Sequence, residues 1–353
     1  MTSRATRATR PVRQRLLAPA VAGVAALALS SCAAFSDDTG TASDDGDVTV
    51  AAAFYPLQFV AQRVAGDRTE VANLTKPGGE PHDLELSVGQ TAEVAGADLV
   101  VYEADFQPAV DAAVEQNAEG ATLDAAEVVG LEPFADEHSD EAHSDEAHSE
   151  EAHSEEEHSE EEHVDDAHSE EEHAEEEHDH GDLDPHFWLD PVRLADLGDA
   201  VAEQLAEIDP DGAQTYTANA ATLREDLESL DGELSEGLAD CERSTIVVSH
   251  DAFGYLGKYG IEVEPIAGLS PDAEPTPADL ARLQQIIDED GITTVFSERL
   301  VSPALSESLA RDKGIETAVL DPVEGLSDET ADEDYLSLMR ENLAALRTAN
   351  GCR

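Results

Sequence analysis

Across residues 136–182 almost every side chain is Glu, Asp, His, Ser or Ala, and this stretch limits what the rest of the chain can build. About two dozen carboxylates repel one another there, with almost no apolar surface to bury in compensation. His138, His143, His148, His153, His158, His163, His168, His173 and His178 recur at every fifth residue, and His180 adds one more. Five matches neither the helical nor the strand period. On a helix each His would sit about 140° from the last, so no imidazole stripe forms. The composition predicts a disordered acidic surface loop, and the regular spacing points to an auxiliary element that holds metal ions loosely. The plainer reading is a solvated spacer. Neighbouring carboxylates favour imidazolium, while metal needs the neutral ring, so capture by this loop weakens in acid. A fold has to come from the blocks of chain on either side.

Those blocks alternate. Residues 48–53 are β-compatible, 57–65 helical, 69–74 a strand, 87–95 a helix, 98–102 an apolar strand and 106–118 a helix. Beyond the insert, 191–208 has helical periodicity. A second helix over 210–239, with Asp209 as N-cap and Pro210 at its first position, would run about 45 Å. Its length suits a connector between lobes better than a crossover inside one. A second series follows: strands at 245–249, 262–266, 293–297 and 316–320, and helices at 252–259, 277–288, 303–313 and 333–348. Alternation of this kind argues for parallel sheets. The expected fold is α/β: two parallel-sheet lobes joined by a long rigid connecting helix. The expected divisions are 48–190 for the first lobe (with the loop at 136–182 inside it), 191–240 for the connecting helices and 241–353 for the second lobe.

The ends bear on compartment. Arg4, Arg7, Arg10, Arg13 and Arg15 precede an apolar run over 16–29 that is too short and Ala-rich to span a bilayer convincingly. It ends in Leu29-Ser30-Ser31-Cys32, which resembles a bacterial lipobox, so residues 1–31 read as a lipoprotein signal peptide. Cys32 would carry the lipid, and the polar stretch to residue 47 would be a flexible tether. The reading is an extracytoplasmic chain anchored at the outer face of the cytoplasmic membrane. The alternative is an ordinary secretory signal with an incidental cysteine. Cys241 and Cys352 then remain, either as a disulfide or as two free thiols; exported proteins keep disulfides. A formal net charge of −62 makes the chain repel nucleic acid and attract cations.

Outside the insert only His82, His186 and His250 remain. His82 lies in a Gly- and Pro-rich loop after a strand, His250 at the carboxyl end of a strand, and His186 just before the connector. Open α/β sheets bind ligands beyond the carboxyl ends of their strands. Asp321 follows one such strand and Glu298 another. Three imidazoles and a carboxylate suit Zn(II), whereas oxygen-richer sets favour Mn(II). Asp321 stands as the fourth ligand, with a turn role before Pro322 as its alternative. Glu298 and Glu80 are the alternate fourth ligands or orienting partners. No His is directly followed by Glu in a His-Glu-x-x-His pattern, and Gly-x-Ser-x-Gly is absent, which argues against a zinc hydrolase and an enzyme in general.

Phe54-Tyr55-Pro56-Leu57, Pro81-His82-Asp83, Pro185-His186-Phe187-Trp188-Leu189-Asp190-Pro191, Ser249-His250-Asp251-Ala252-Phe253-Gly254-Tyr255-Leu256 and Leu320-Asp321-Pro322 together resemble the zinc/manganese solute-binding lipoproteins of bacterial ABC importers. The resemblance covers nearly all of residues 48–353. It implies a metal held between lobes by His82, His186, His250 and Asp321 and delivered to a permease with its ATPase by a monomeric, lipid-anchored protein. In manganese-type relatives the third position looks like Glu, so His250 favours zinc. Some zinc relatives carry Glu beside the first His, where this chain has Pro81. The alternatives within and near the family are a manganese carrier and a surface metal buffer or adhesin.

Overall fold

A computed structural model of the protein describes residues 48–134, 183–271 and 273–353. Cys32, the signal and tether segments, and the ten histidines at 138–180 lie outside the described residues.

The first lobe comprises β1 (Thr49–Ala52), α1 (Tyr55–Ala65), β2 (Glu70–Asn73), α2 (Val88–Gly96), β3 (Leu99–Tyr102), α3 (Pro108–Asn117), β4 (Ala121–Asp124) and α4 (Ala125–Val129). Its four strands form a parallel sheet in the order β2-β1-β3-β4, with Val50 opposite both Val71 and Leu99. The central strands are unbroken apolar runs, as strands covered on both faces must be. Pro56 and Pro108 sit in the first turns of α1 and α3, where a missing N–H costs nothing. Ser87 and Gln90 close a capping box on α2. The segment Ala121–Val129 holds a strand and a short helix that the periodicity did not announce.

A two-residue antiparallel hairpin, β5 (Glu132–Pro133) with β6 (Leu183–Asp184), flanks the acidic insert. A single 3₁₀ turn over Phe187–Leu189 leads into α5 (Pro191–Ile208), and then α6 (Ala213–Leu238) runs for 26 residues, about 39 Å. The expected start at Pro210 is corrected to Ala213. Asp209 does not cap the helix; it folds a turn instead, accepting from the Gly212 amide and the Tyr216 hydroxyl and pairing with Arg68. Tyr216, Ala220, Leu223, Leu227, Leu230, Leu234 and Leu238 form the buried stripe of α6, at spacings of three or four residues.

The second lobe holds β7 (Thr245–Val248), β8 (Glu262–Pro265), α7 (Pro277–Glu289), β9 (Thr294–Ser297), α8 (Ala304–Lys313), β10 (Glu316–Val319) and α9 (Tyr335–Asn350). Its parallel sheet has the order β10-β9-β7-β8. The helix expected at 252–259 is instead a 3₁₀ helix over Gly254–Tyr259, closed by Gly260 in the left-handed region. Three glycines in seven residues explain why a full α-helix does not form there.

The α6 stripe ties the two lobes together. It packs on α5, on α1 of the first lobe and on α9 of the second. Gly198 on α5 and Gly237 on α6 mark close approaches: a Cβ would stand 3.1 Å from Leu223 at the first and 2.9 Å from Leu343 at the second. One continuous core therefore runs from the first sheet through α6 to α9 and one face of the second sheet. The other face of that sheet packs in a separate cluster around Val247, Leu283, Val295 and Leu309. Cys241 and Cys352 form a disulfide that pins the C-terminus beside the end of α6.

Candidate metal centre

The carboxyl ends of the two sheets face each other across the joint, and four side chains meet there. His82 comes from the loop after β2 and His186 from the turn after β6. His250 comes from the end of β7, and Glu324 from the loop after β10. Their ligand atoms all lie within 4.8 Å of one another. Glu324 Oε1 stands 3.6 Å from His82 Nε2, 3.5 Å from His186 Nε2 and 3.7 Å from His250 Nε2. These separations are too long for hydrogen bonds. All four atoms are buried and lack a hydrogen-bond partner. A tetrahedral zinc site with ligands at about 2.0–2.1 Å sets its donors about 3.3–3.4 Å apart, so Glu324 stands slightly farther from the three rings than in a closed zinc shell.

The second ring nitrogens of His186 and His250 are committed. His186 Nδ1 donates to Asp184 Oδ1 at 2.8 Å, and His250 Nδ1 donates to Glu298 Oε1 at 2.6 Å. The Ser249 hydroxyl donates to the same Glu298 oxygen. Each carboxylate fixes its ring so that Nε2 points inward and becomes a better donor to a cation, a usual device around metal-bound histidine. The backbone supports Asp184 further. Its Oδ1 accepts from the His186 amide, and its carbonyl accepts from the Tyr255 hydroxyl of the other lobe. Gly254 makes room for its other oxygen, since a Cβ there would stand 2.4 Å from Asp184 Oδ2.

Burial works against charge on His186, but Asp184 and Glu324 outweigh it and lift its pKa to about 9. Burial likewise opposes charge on His250, yet Glu298 and Glu324 lift it to about 10. Burial pushes the pKa of His82 down, and Glu324 does not offset it. Burial would raise Glu324, but the three imidazoles hold it well below the usual carboxylate range. The neighbouring carboxylates thus favour the charged form of His186 and His250, burial favours the neutral form of His82, and the imidazoles favour the ionised form of Glu324.

His82, His186 and His250 come together as the sequence reading expects, and Asp321 does not join them. Its Oδ1 accepts from the Val323 amide at 2.8 Å, and its Oδ2 lies 2.9 Å from Arg299 Nε, out of line for a hydrogen bond. The fourth converging group is Glu324, three residues further on, which the sequence reading passed over. Glu298 takes the orienting role. Glu80 accepts from the His82 amide at 3.1 Å, and burial together with Glu324 raises its carboxyl to about 8.

The sequence profile of the family described as zinc-uptake complex component A, periplasmic (ZnuA) matches residues 50–349. The chain is 34% identical over 307 residues to the zinc-binding lipoprotein AdcA of Streptococcus pneumoniae, covering 86% of this chain and 56% of that protein. It therefore spans little more than half the length of that relative. It is 32% identical over 317 residues to the high-affinity zinc uptake system protein ZnuA of Bacillus subtilis, covering 88% of this chain and 91% of the other. Among solved structures, Zn(II)-bound AdcA from Streptococcus pneumoniae superposes with a TM-score of 0.66 at 30% identity over 86% of this chain and 58% of that one. The laminin-binding protein Lmb of Streptococcus agalactiae shares the fold, with a TM-score of 0.68 at 24% identity over 86% and 99% of the two chains. With the match running from β1 to the end of α9, the chain belongs to the periplasmic zinc-uptake component A family of metal-binding transport proteins.

Proposed function

We propose that this chain captures Zn(II) as cargo between its lobes and delivers it to the permease of an ABC importer driven by an ATPase. The observation that carries the reading is the set of four buried, unpartnered donor atoms, three imidazole nitrogens and one carboxylate oxygen, aimed at one point. Three nitrogens to one oxygen suit zinc over manganese. His82, His186, His250 and Glu324 are the ligands in this reading. Four protein donors leave no open position for a catalytic water, so the site is one of holding and release, and the chain is not an enzyme. Cys32 carries the lipid that keeps the monomer near the membrane, and residues 136–182 collect metal loosely. No helix among the described residues is long and apolar enough to cross a membrane.

The test is competition between zinc and manganese for the chain, with and without His250→Ala. Tight one-to-one zinc, preferred over manganese and weakened at least a hundredfold by the substitution, is the expected result. Manganese preference overturns the choice of metal. Failure to retain any metal in the cleft overturns the transport reading.

A further inference from the structure

The loop that delivers Glu324 is built in an unusual way. Val323, the residue before it, is fully buried and has a φ of 60°, in the left-handed region that β-branched side chains avoid. Such a conformation persists only where its surroundings over-determine it. Here the surroundings converge on Asp321. Asn342 holds its backbone from both sides, accepting from the Asp321 amide at 2.9 Å and donating to its carbonyl at 2.6 Å. The Asp321 carboxylate then reaches forward and accepts from the Val323 amide. Arg299 stands beside the other oxygen and is itself held by Glu341. Downstream, two bonds cross to the first lobe: Trp188 Nε1 donates to the Pro322 carbonyl at 2.7 Å, and the Gly78 amide donates to the Leu326 carbonyl at 2.7 Å.

We propose that Asp321 is the positioning residue for the fourth ligand: its Oδ1, by accepting from the Val323 amide, holds the left-handed turn that points Glu324 at the three imidazoles. The proposal rests on the zinc-capture reading above. It makes Asp321 necessary to the site without contact with the metal, and it sets a specific requirement, an acceptor atom at the Oδ1 position. A ligand would require the negative charge instead. Asparagine keeps the acceptor and discards the charge. Glutamate keeps the charge but carries its oxygens one methylene too far for the two-residue turn.

The experiment is zinc affinity by chelator competition and the visible absorption of bound Co(II), measured on the full chain with Asp321→Asn, Asp321→Glu and Asp321→Ala. Asp321→Asn is expected to bind zinc within threefold of the parent and to keep its tetrahedral Co(II) spectrum. Asp321→Glu and Asp321→Ala are expected to bind at least tenfold more weakly, with an altered spectrum. If Asp321→Ala does not fold, the ranking of Asn above Glu decides the matter alone. Asp321→Glu binding as well as or better than Asp321→Asn overturns the proposal, as does no variant shifting affinity more than threefold. Weak zinc binding by the unsubstituted chain would instead sink the zinc-capture reading itself.

Discussion

Zinc and protons compete for the same ring atoms, and the carboxylates beside two of the rings favour the protons. At pH 7.5 His186, with a pKa near 9, and His250, near 10, are protonated in the metal-free protein, while His82 is neutral and Glu324 ionised. Binding must expel two protons from the inward nitrogens. Apparent affinity should therefore rise about a hundredfold per pH unit between pH 7 and 9, and about tenfold per unit from 9 to 10, then level off. The sign for folding is opposite. Both histidines have folded pKa values above their ordinary 6.5, so their stabilisation of the metal-free chain is fully present below pH 6.5 and is lost as pH rises through about 9 to 10. Calorimetric titration at pH 7.5 in buffers of differing ionisation enthalpy counts the protons, and chelator competition across pH 7–9.5 gives the slope. Glu298→Gln removes the carboxylate that does most to raise His250, and should lower the count by about one. Release of fewer than one proton by the parent protein, or a slope below tenfold per unit throughout, would refute the electrostatic picture of the pocket.

Other consequences follow from single contacts. Gly254→Ala places a Cβ where Asp184 Oδ2 lies 2.4 Å away; the displaced carboxylate releases His186, and zinc affinity should fall about 10- to 100-fold in the competition assay. Replacing Cys241 and Cys352 together by Ser opens a loop with a sequence separation of 111, which should cost about 4–5 kcal/mol in denaturant unfolding. Zinc affinity should not change in that variant, because the bridge sits at the end of the second lobe away from the carboxyl ends of its strands. Deleting residues 136–182 should lower the number of zinc ions bound at saturation and leave one tight site; loss of the tight site would show that the acidic segment builds the centre.

The α/β alternation was readable because buried parallel strands such as β1 and β3 are continuous apolar runs and their helices have apolar periodicity. The three converging histidines stood out through scarcity, being the only ones outside the acidic insert. Glu324 had no such signal, as one acid among 81 in the chain. What brings it inward is the left-handed backbone at Val323, and a valine there gives no hint of a turn that glycine would have announced. Asp321 was misleading for a related reason. A buried aspartate at a strand end before proline looks the same in sequence whether it binds a cation or an amide. The start of α6 was misplaced because Asp-Pro is a good helix opening that here forms a separate turn. Strands β5 and β6 are two residues each, too short for any period to register.

The orienting carboxylates are shared out between the lobes. Asp184 and the ring it steadies belong to the first lobe; Glu298 and its ring belong to the second. Each lobe thus aims one of the converging nitrogens with a carboxylate of its own. A cation arriving at the joint meets two rings that need no rotamer search to receive it.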